Sequence, residues 1–252
     1  MRKVVKARIN KLWEAIALLS IELVIVFIIF FISIAFLIVV IRRIFFENKY
    51  LFDQEAFDFL LPYVSDTRTS VIQFFTIFGS HNFLVPAYLL LFIYFYFIRK
   101  NKWYFIKFAS IAISNLLLMF GLKYLFNRPR PLIPLLKEVP GLSFPSGHAF
   151  MSLTFFGLLI YVVYRDVKNK WLKWSLVVSL MLMIFFVGLT RVYLRVHYVS
   201  DVLAGYSFGF LSLVIMLSLL HQIEKYNLKK VASSVNITPL DGKENQTQKI
   251  AN

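Results

Sequence analysis

No cysteine occurs among the 252 residues, and only 16% of them are charged. The missing thiols exclude disulfides, thiolate nucleophiles and cysteine-based zinc or iron–sulfur centres. The shortage of charge excludes an ordinary soluble domain, in which about 25% of residues are charged and about 45–50% are apolar. Here 59% are hydrophobic. A larger core cannot absorb that excess, because single cores stop growing at roughly 250–300 residues. Acid is scarce as well, with 13 Asp plus Glu against 28 Lys plus Arg and a net charge of +15. In a soluble chain such a balance would suggest nucleic acid. In one this apolar it reads as membrane topology and attraction for an anionic substrate, and no nucleic-acid partner is expected.

Apolar runs of roughly 20 residues are read as membrane spans. Six are found, at about 16–41, 82–98, 103–122, 148–164, 171–190 and 202–220. The fold expected is all-α, a polytopic membrane helical bundle with six transmembrane helices. The basic start is followed by an apolar stretch too long for a signal peptide and lacking a small-residue cleavage site, so it reads as a retained anchor. With both termini on one face, 18 cations lie on that face and 10 on the other. The positive-inside rule makes the richer face cytoplasmic, which predicts a multi-pass plasma-membrane protein with both termini inside. A membrane domain over residues 1–222 is expected, followed by a polar, disordered cytoplasmic tail over 223–252. Between the first two spans, Phe45, Phe52 and Phe59 recur every seven residues among acids, which suggests an interfacial helix over about 44–61.

Three stretches at span ends on the cation-poor face carry the candidate chemistry. The first is Lys123-Tyr-Leu-Phe-Asn-Arg128-Pro-Arg130-Pro131. A residue before proline is pushed out of helical geometry, and a guanidinium fork suits phosphate oxygens. The bland alternative is snorkelling of these cations to lipid headgroups. Next comes Pro145-Ser146-Gly147-His148, which opens the fourth span. Ser146 reads as a helix cap, Gly147 permits close backbone approach, and the helix start favours an anion. The third is Thr190-Arg191 followed by Arg195, His197 and Asp201. A carboxylate four residues after a histidine can fix its tautomer and leave the other ring nitrogen free to attack. A purely structural His–Asp hydrogen bond would use the same spacing.

Taken together the stretches resemble the type 2 phosphatidic acid phosphatases, in order and in internal spacing. The pattern is Lys, six residues, Arg-Pro, then Pro-Ser-Gly-His, then Ser-Arg, five residues, His, three residues, Asp. Thr190 stands where the family has serine. The resemblance implies a lipid phosphatase in which His197 attacks phosphorus, Asp201 holds its other nitrogen and His148 serves as acid and then base. It implies that Lys123, Arg130, Ser146, Gly147 and Arg191 bind phosphate, with Arg128 as a further candidate. No cofactor and no metal is implied, and the partners are a membrane lipid phosphate and the bilayer. Undecaprenyl pyrophosphate, phosphatidylglycerol phosphate and phosphatidic acid all remain open as substrates, with the site outside. A transporter or flippase for an anionic lipid, and a member of the fold without catalysis, are the alternatives.

Overall fold

The computed structural model of the chain describes residues 21–135 and 140–235. Helix α1 covers Ile21–Ile41 and runs on through a widened turn, Arg42–Phe46. A short α2, Leu51–Leu60, is followed by α3, Asp66–Thr76, and α4, His81–Ile93, which are separated only by a tight turn at Ile77–Gly79 and Ser80. The remaining helices are α5 (Lys102–Phe126), α6 (Gly147–Asp166), α7 (Lys170–Tyr193) and α8 (Val199–Val235). No strand occurs among the described residues. Among the described residues, six helical segments are long and apolar enough to cross a membrane: Leu23–Phe46, Asp66–Ile98, Lys102–Phe126, Gly147–Asp166, Lys170–Tyr193 and Val199–Leu228. The expected all-α, six-span fold is therefore the one found. Helices are the outcome because a backbone in hydrocarbon must satisfy its own polar groups.

Local chemistry sets several boundaries. Asn101 caps α5 by accepting from the amides of Trp103 and Tyr104 at 3.1 and 3.2 Å. Asn169 caps α7 by accepting from Leu172 at 3.1 Å. Helix α5 stops at Asn127, whose φ of 43° is left-handed, and the two Arg-Pro pairs then prevent any resumption.

Three boundary expectations are corrected. The apolar helical segment that holds the second span runs over Asp66–Ile98 rather than starting at 82, because α3 precedes α4 with only the tight turn through Gly79 and Ser80 between them. The interfacial helix expected over 44–61 is confined to Leu51–Leu60, since the chain turns at Asn48, with φ 52°. Its phenylalanines also serve different surfaces: Phe45 packs on Phe126 and Phe144, whereas Phe52 and Phe59 are exposed and Phe57 is buried. The tail expected to be disordered from 223 instead stays helical to Val235, where Glu, Lys, Leu and Ala are all good helix formers. Residues 236–252 of that tail, and the start of the first span at 16–20, lie outside the described residues. Compact packing extends through Leu213, and residues from Val214 onward form a separate unit that carries the rest of α8.

Close helix packing secures the functional end of the bundle. Phe144 is fully buried, in edge contact with Phe45 and Phe126 at 5.2 and 4.8 Å. Gly205 of α8 lies against the start of α6, where an added Cβ would sit 2.7 Å from the Ser146 carbonyl oxygen and 3.1 Å from Ala149. Gly209, one turn on, faces the Phe150 carbonyl at 3.1 Å. This Gly-x-x-x-Gly therefore serves helix packing within the chain. A Gly205→Ala variant is expected to lose about 1–3 kcal/mol through overpacking. Gly121→Ala, where a Cβ meets nothing within 4 Å, should be unaffected. Thermal unfolding in detergent compares the two, and equal midpoints would refute the packing role.

Candidate active site

The connectivity brings four helix termini to one end of the bundle. They are the end of α5 with Lys123, the start of α6 with Ser146 to His148, the end of α7 with Arg191, and the start of α8 with Asp201. His197 lies in the short link between α7 and α8 and is only 1% exposed. The two α-helix starts are tied directly, because the Ser146 amide donates to the Asp201 carbonyl at 3.0 Å.

His197 is held at both ring nitrogens. Arg130 approaches Nε2 at 3.4 Å. A guanidinium can only donate, so Nε2 carries the lone pair and Nδ1 the proton. The Nδ1 side faces Asp201 Oδ2 at 3.6 Å and the Ser143 hydroxyl at 3.4 Å. Ser143 also donates to Asp201 through a very short hydrogen bond, and the Tyr198 amide donates to the same oxygen at 2.9 Å. Burial, opposed by the Asp201 hydrogen bond and charge but aided by Arg191 and Arg130, pushes the His197 pKa down to about 4. The ring is consequently neutral at physiological pH.

The expected phosphate ligands form a cationic wall. Arg130 is anchored by its Nε to the Gly141 carbonyl at 3.2 Å and by a terminal nitrogen to the Val196 carbonyl at 2.9 Å. Lys123 Nζ donates to the Leu142 carbonyl at 2.6 Å and lies beside Gly147. Arg191 is 4% exposed and donates to Thr76 Oγ1 at 2.7 Å, while its Nε has no hydrogen-bond partner. Ser146 Oγ is also buried and unpartnered. The expectation that this hydroxyl caps α6 is thus corrected: the helix starts without it, and the oxygen stays available to a ligand. Two orphaned donors beside three fixed cations are the chemistry an oxyanion would complete. His148 belongs to the same group, with Arg191, His197, Arg130 and His81 as its electrostatic neighbours.

Arg128 does something else. Its guanidinium is 5% exposed and binds Asp201 Oδ1 at 2.6 Å, Asp53 Oδ2 at 2.7 Å and Ser200 Oγ at 2.9 Å. Burial opposes its charge, but Asp201 and Asp53 outweigh burial and raise its pKa. Both terminal nitrogens are spent on these partners and the group is buried, so Arg128 is turned to the two carboxylates, and the expectation that it binds a second phosphate or pairs with lipid is corrected. Arg195, half-buried, sits over the Phe57 ring at 5.6 Å. Thr190 turns its hydroxyl to the Val187 carbonyl at 2.6 Å and away from the site. Among the described residues, no three His, Asp or Glu converge as metal ligands.

Residues 103–225 match the PAP2 superfamily and contain all three stretches. The chain belongs to the PAP2 superfamily. It is 27% identical to phosphatidylglycerophosphatase B of Bacillus subtilis over 170 residues, which is 67% of this chain and 81% of that protein. The crystal structure of a transmembrane PAP2-type phosphatidylglycerolphosphate phosphatase from Bacillus subtilis superposes with a TM-score of 0.65 at 24% identity, covering 79% of this chain and 96% of that one. Aquifex aeolicus LpxE superposes with a TM-score of 0.52 at 26% identity, covering 66% and 94%. The coarse activity follows from membership: this is a membrane PAP2 phosphatase.

Within the PAP2 site, sequence reasoning missed Ser143, Thr76, Asp53 and Ser200. Ser143 lies two residues before Pro145, close enough to the Pro-Ser-Gly-His stretch to have been considered. Thr76 and Asp53 come from segments far earlier in the chain, and nothing in their spacing points to the site.

Proposed function

We propose that this PAP2 protein hydrolyses the phosphate of a membrane lipid through a phosphohistidine at His197, without a metal, on the outer face of the membrane. The observation that carries this reading is the disposition of His197, with Nδ1 towards Asp201 and Ser143 and Nε2 towards the cations. In that arrangement the Nε2 lone pair attacks phosphorus as the bond to the leaving oxygen breaks, and His148 gives that oxygen a proton. His148 then takes a proton from water, the water oxygen attacks phosphorus, and the P–N bond breaks to release phosphate and neutral His197. Lys123, Arg130 and Arg191, with the Ser146 hydroxyl and the Gly147 amide, balance the equatorial oxygens. Phosphoryl transfer is chiefly positioning and charge stabilisation, which fixed cations can supply.

A lipid substrate fits the surroundings. An open, mainly apolar cavity of about 380 Å³ begins at His148 and Gly147 and continues past Leu84, Tyr88, Phe92 and Leu116. Its walls suit hydrocarbon and its mouth suits phosphate. A transporter would place its binding groups near the midplane, whereas these occupy helix ends. The outward orientation rests on the excess of cations at the opposite end.

The test uses purified protein in detergent with undecaprenyl pyrophosphate, phosphatidylglycerol phosphate and phosphatidic acid, with and without EDTA. At least one should release phosphate, at equal rates in both conditions. Loss in EDTA with recovery on adding magnesium would overturn the metal-free mechanism, and inactivity on all three would overturn the lipid reading. Intact and lysed cells should hydrolyse added short-chain substrate equally; activity appearing only on lysis would reverse the orientation.

A further inference from the structure

We infer that Asp53 of α2 is a positioning residue for the nucleophile, holding Arg128 so that Arg128 turns the Asp201 carboxylate towards His197. The inference rests on the assignment of His197 as nucleophile.

Asp53 is 3% exposed, although it sits on a short helix whose other acids, Glu55 and Asp58, face outward. Its carboxylate accepts three hydrogen bonds. Oδ1 takes the Ser200 amide at 2.9 Å, and Oδ2 takes the Ser200 hydroxyl at 2.7 Å and Arg128 at 2.7 Å. Ser200 Oγ accepts in turn from the other terminal nitrogen of Arg128 at 2.9 Å. That nitrogen also donates to Asp201 Oδ1 at 2.6 Å. The guanidinium is further confined by the Tyr198 ring, 4.0 Å below it. Arg128 is therefore fixed from one side by Asp53 and Ser200, and from the other it grips one oxygen of Asp201.

The consequence falls on the second oxygen. With Oδ1 committed to Arg128, the Asp201 carboxylate has one rotation left, which directs Oδ2 to Ser143, the Tyr198 amide and Nδ1 of His197. Without Asp53, one terminal nitrogen of Arg128 would be buried and unpaired. It would then compete for Asp201 Oδ2, the oxygen that orients the histidine. An amide cannot replace the carboxylate, because asparagine offers one accepting atom where the site uses two. Asp53→Asn would set a donor against either Arg128 or Ser200.

The experiment measures steady-state and rapid-quench kinetics of purified Asp53→Asn, Asp53→Ala, Ser200→Ala and His197→Ala. The probe is whichever of the three lipid phosphates above the wild type hydrolyses fastest. Both Asp53 variants should lose about 10- to 100-fold in kcat, as when outer hydrogen-bond partners of a functional group are removed. KM should stay within about twofold, because the substrate is not touched. The acid-labile phosphoenzyme should form more slowly, and Ser200→Ala should move the same way by a smaller factor. Wild-type kcat in folded Asp53 variants, or a rise in KM alone, would overturn the proposal. Should the Asp53 variants fail to fold, Ser200→Ala decides, and an unchanged kcat there overturns it. Undiminished turnover by His197→Ala would instead sink the nucleophile assignment, whatever the Asp53 variants do.

Discussion

His197→Ala is expected to turn over lipid phosphate at no more than about a thousandth of the wild-type rate, the scale of loss when a covalent nucleophile is removed from an otherwise intact site. Arg130, Lys123 and Arg191 remain in that variant, so substrate should still bind, and the loss should fall on kcat. His148→Ala separates the two halves of the reaction. With a leaving group that needs no proton, it should still phosphorylate His197 and then stall, because nothing activates water. Trapped phosphoenzyme would be visible in His148→Ala and absent from His197→Ala. Phosphoenzyme in the latter would place the nucleophile elsewhere. The pH dependence follows from the same residue. Since His197 has its pKa pushed down to about 4 from 6.5, chiefly by burial, the neutral attacking form predominates until the pH falls through about 4. The limb of kcat/KM owed to this group should lie there. Stability has the same sign: the unfolded chain takes up the proton first, so the folded state is penalised progressively as pH drops from 6.5 towards 4.

The second large effect is on stability. Arg128→Met should destabilise the protein by about 3–5 kcal/mol, because it leaves two buried carboxylates without their shared cation. Asp53 and Asp201 are 3% and 0% exposed, so water cannot replace the guanidinium. Arg130→Gln should do the reverse. Its partners are backbone carbonyls and a histidine, so stability changes little. The rate should fall by about 10²–10³, the cost of losing one preorganised donor at a developing charge. Thermal unfolding in detergent together with phosphate release distinguishes the two variants. A wild-type midpoint for Arg128→Met would refute the buried network.

That contrast also shows what a linear sequence conveys. Arg128-Pro and Arg130-Pro look alike, and both read as fixed guanidiniums ready for phosphate. Only one is. Arg128 and Asp53 are 75 residues apart, and no periodicity links an acid on a Phe-rich connector to a loop after the third span. The features that were legible depend on short-range rules: hydrocarbon enforces helices, cations mark helix ends, and Lys123, His148, Arg191 and His197 occupy the termini of successive spans. Ser146 lies between these cases. Its position at a helix start was evident, but that the hydroxyl makes no cap bond, while the amide is tied to the distant Asp201 carbonyl, shows only in the fold. The phenylalanine heptad misled because Asn48 breaks the chain between its first and second members.

The contact of Gly205 with the Ser146 carbonyl, beside the Ser146–Asp201 hydrogen bond, bears on biogenesis. During synthesis, Lys123, Arg130, Ser146, His148 and Arg191 all leave the ribosome before the final span. At that stage the guanidinium of Arg128 lacks Asp201, and the start of α6 lacks the glycine surface it packs against. Docking of the last helix therefore completes the orienting carboxylate and seats the α6 terminus in one event. On the mechanism proposed above, a chain interrupted before that event would hold nearly every proposed phosphate ligand but lack the carboxylate that orients His197. Premature termination would leave an inert fragment in the membrane rather than an unregulated hydrolase.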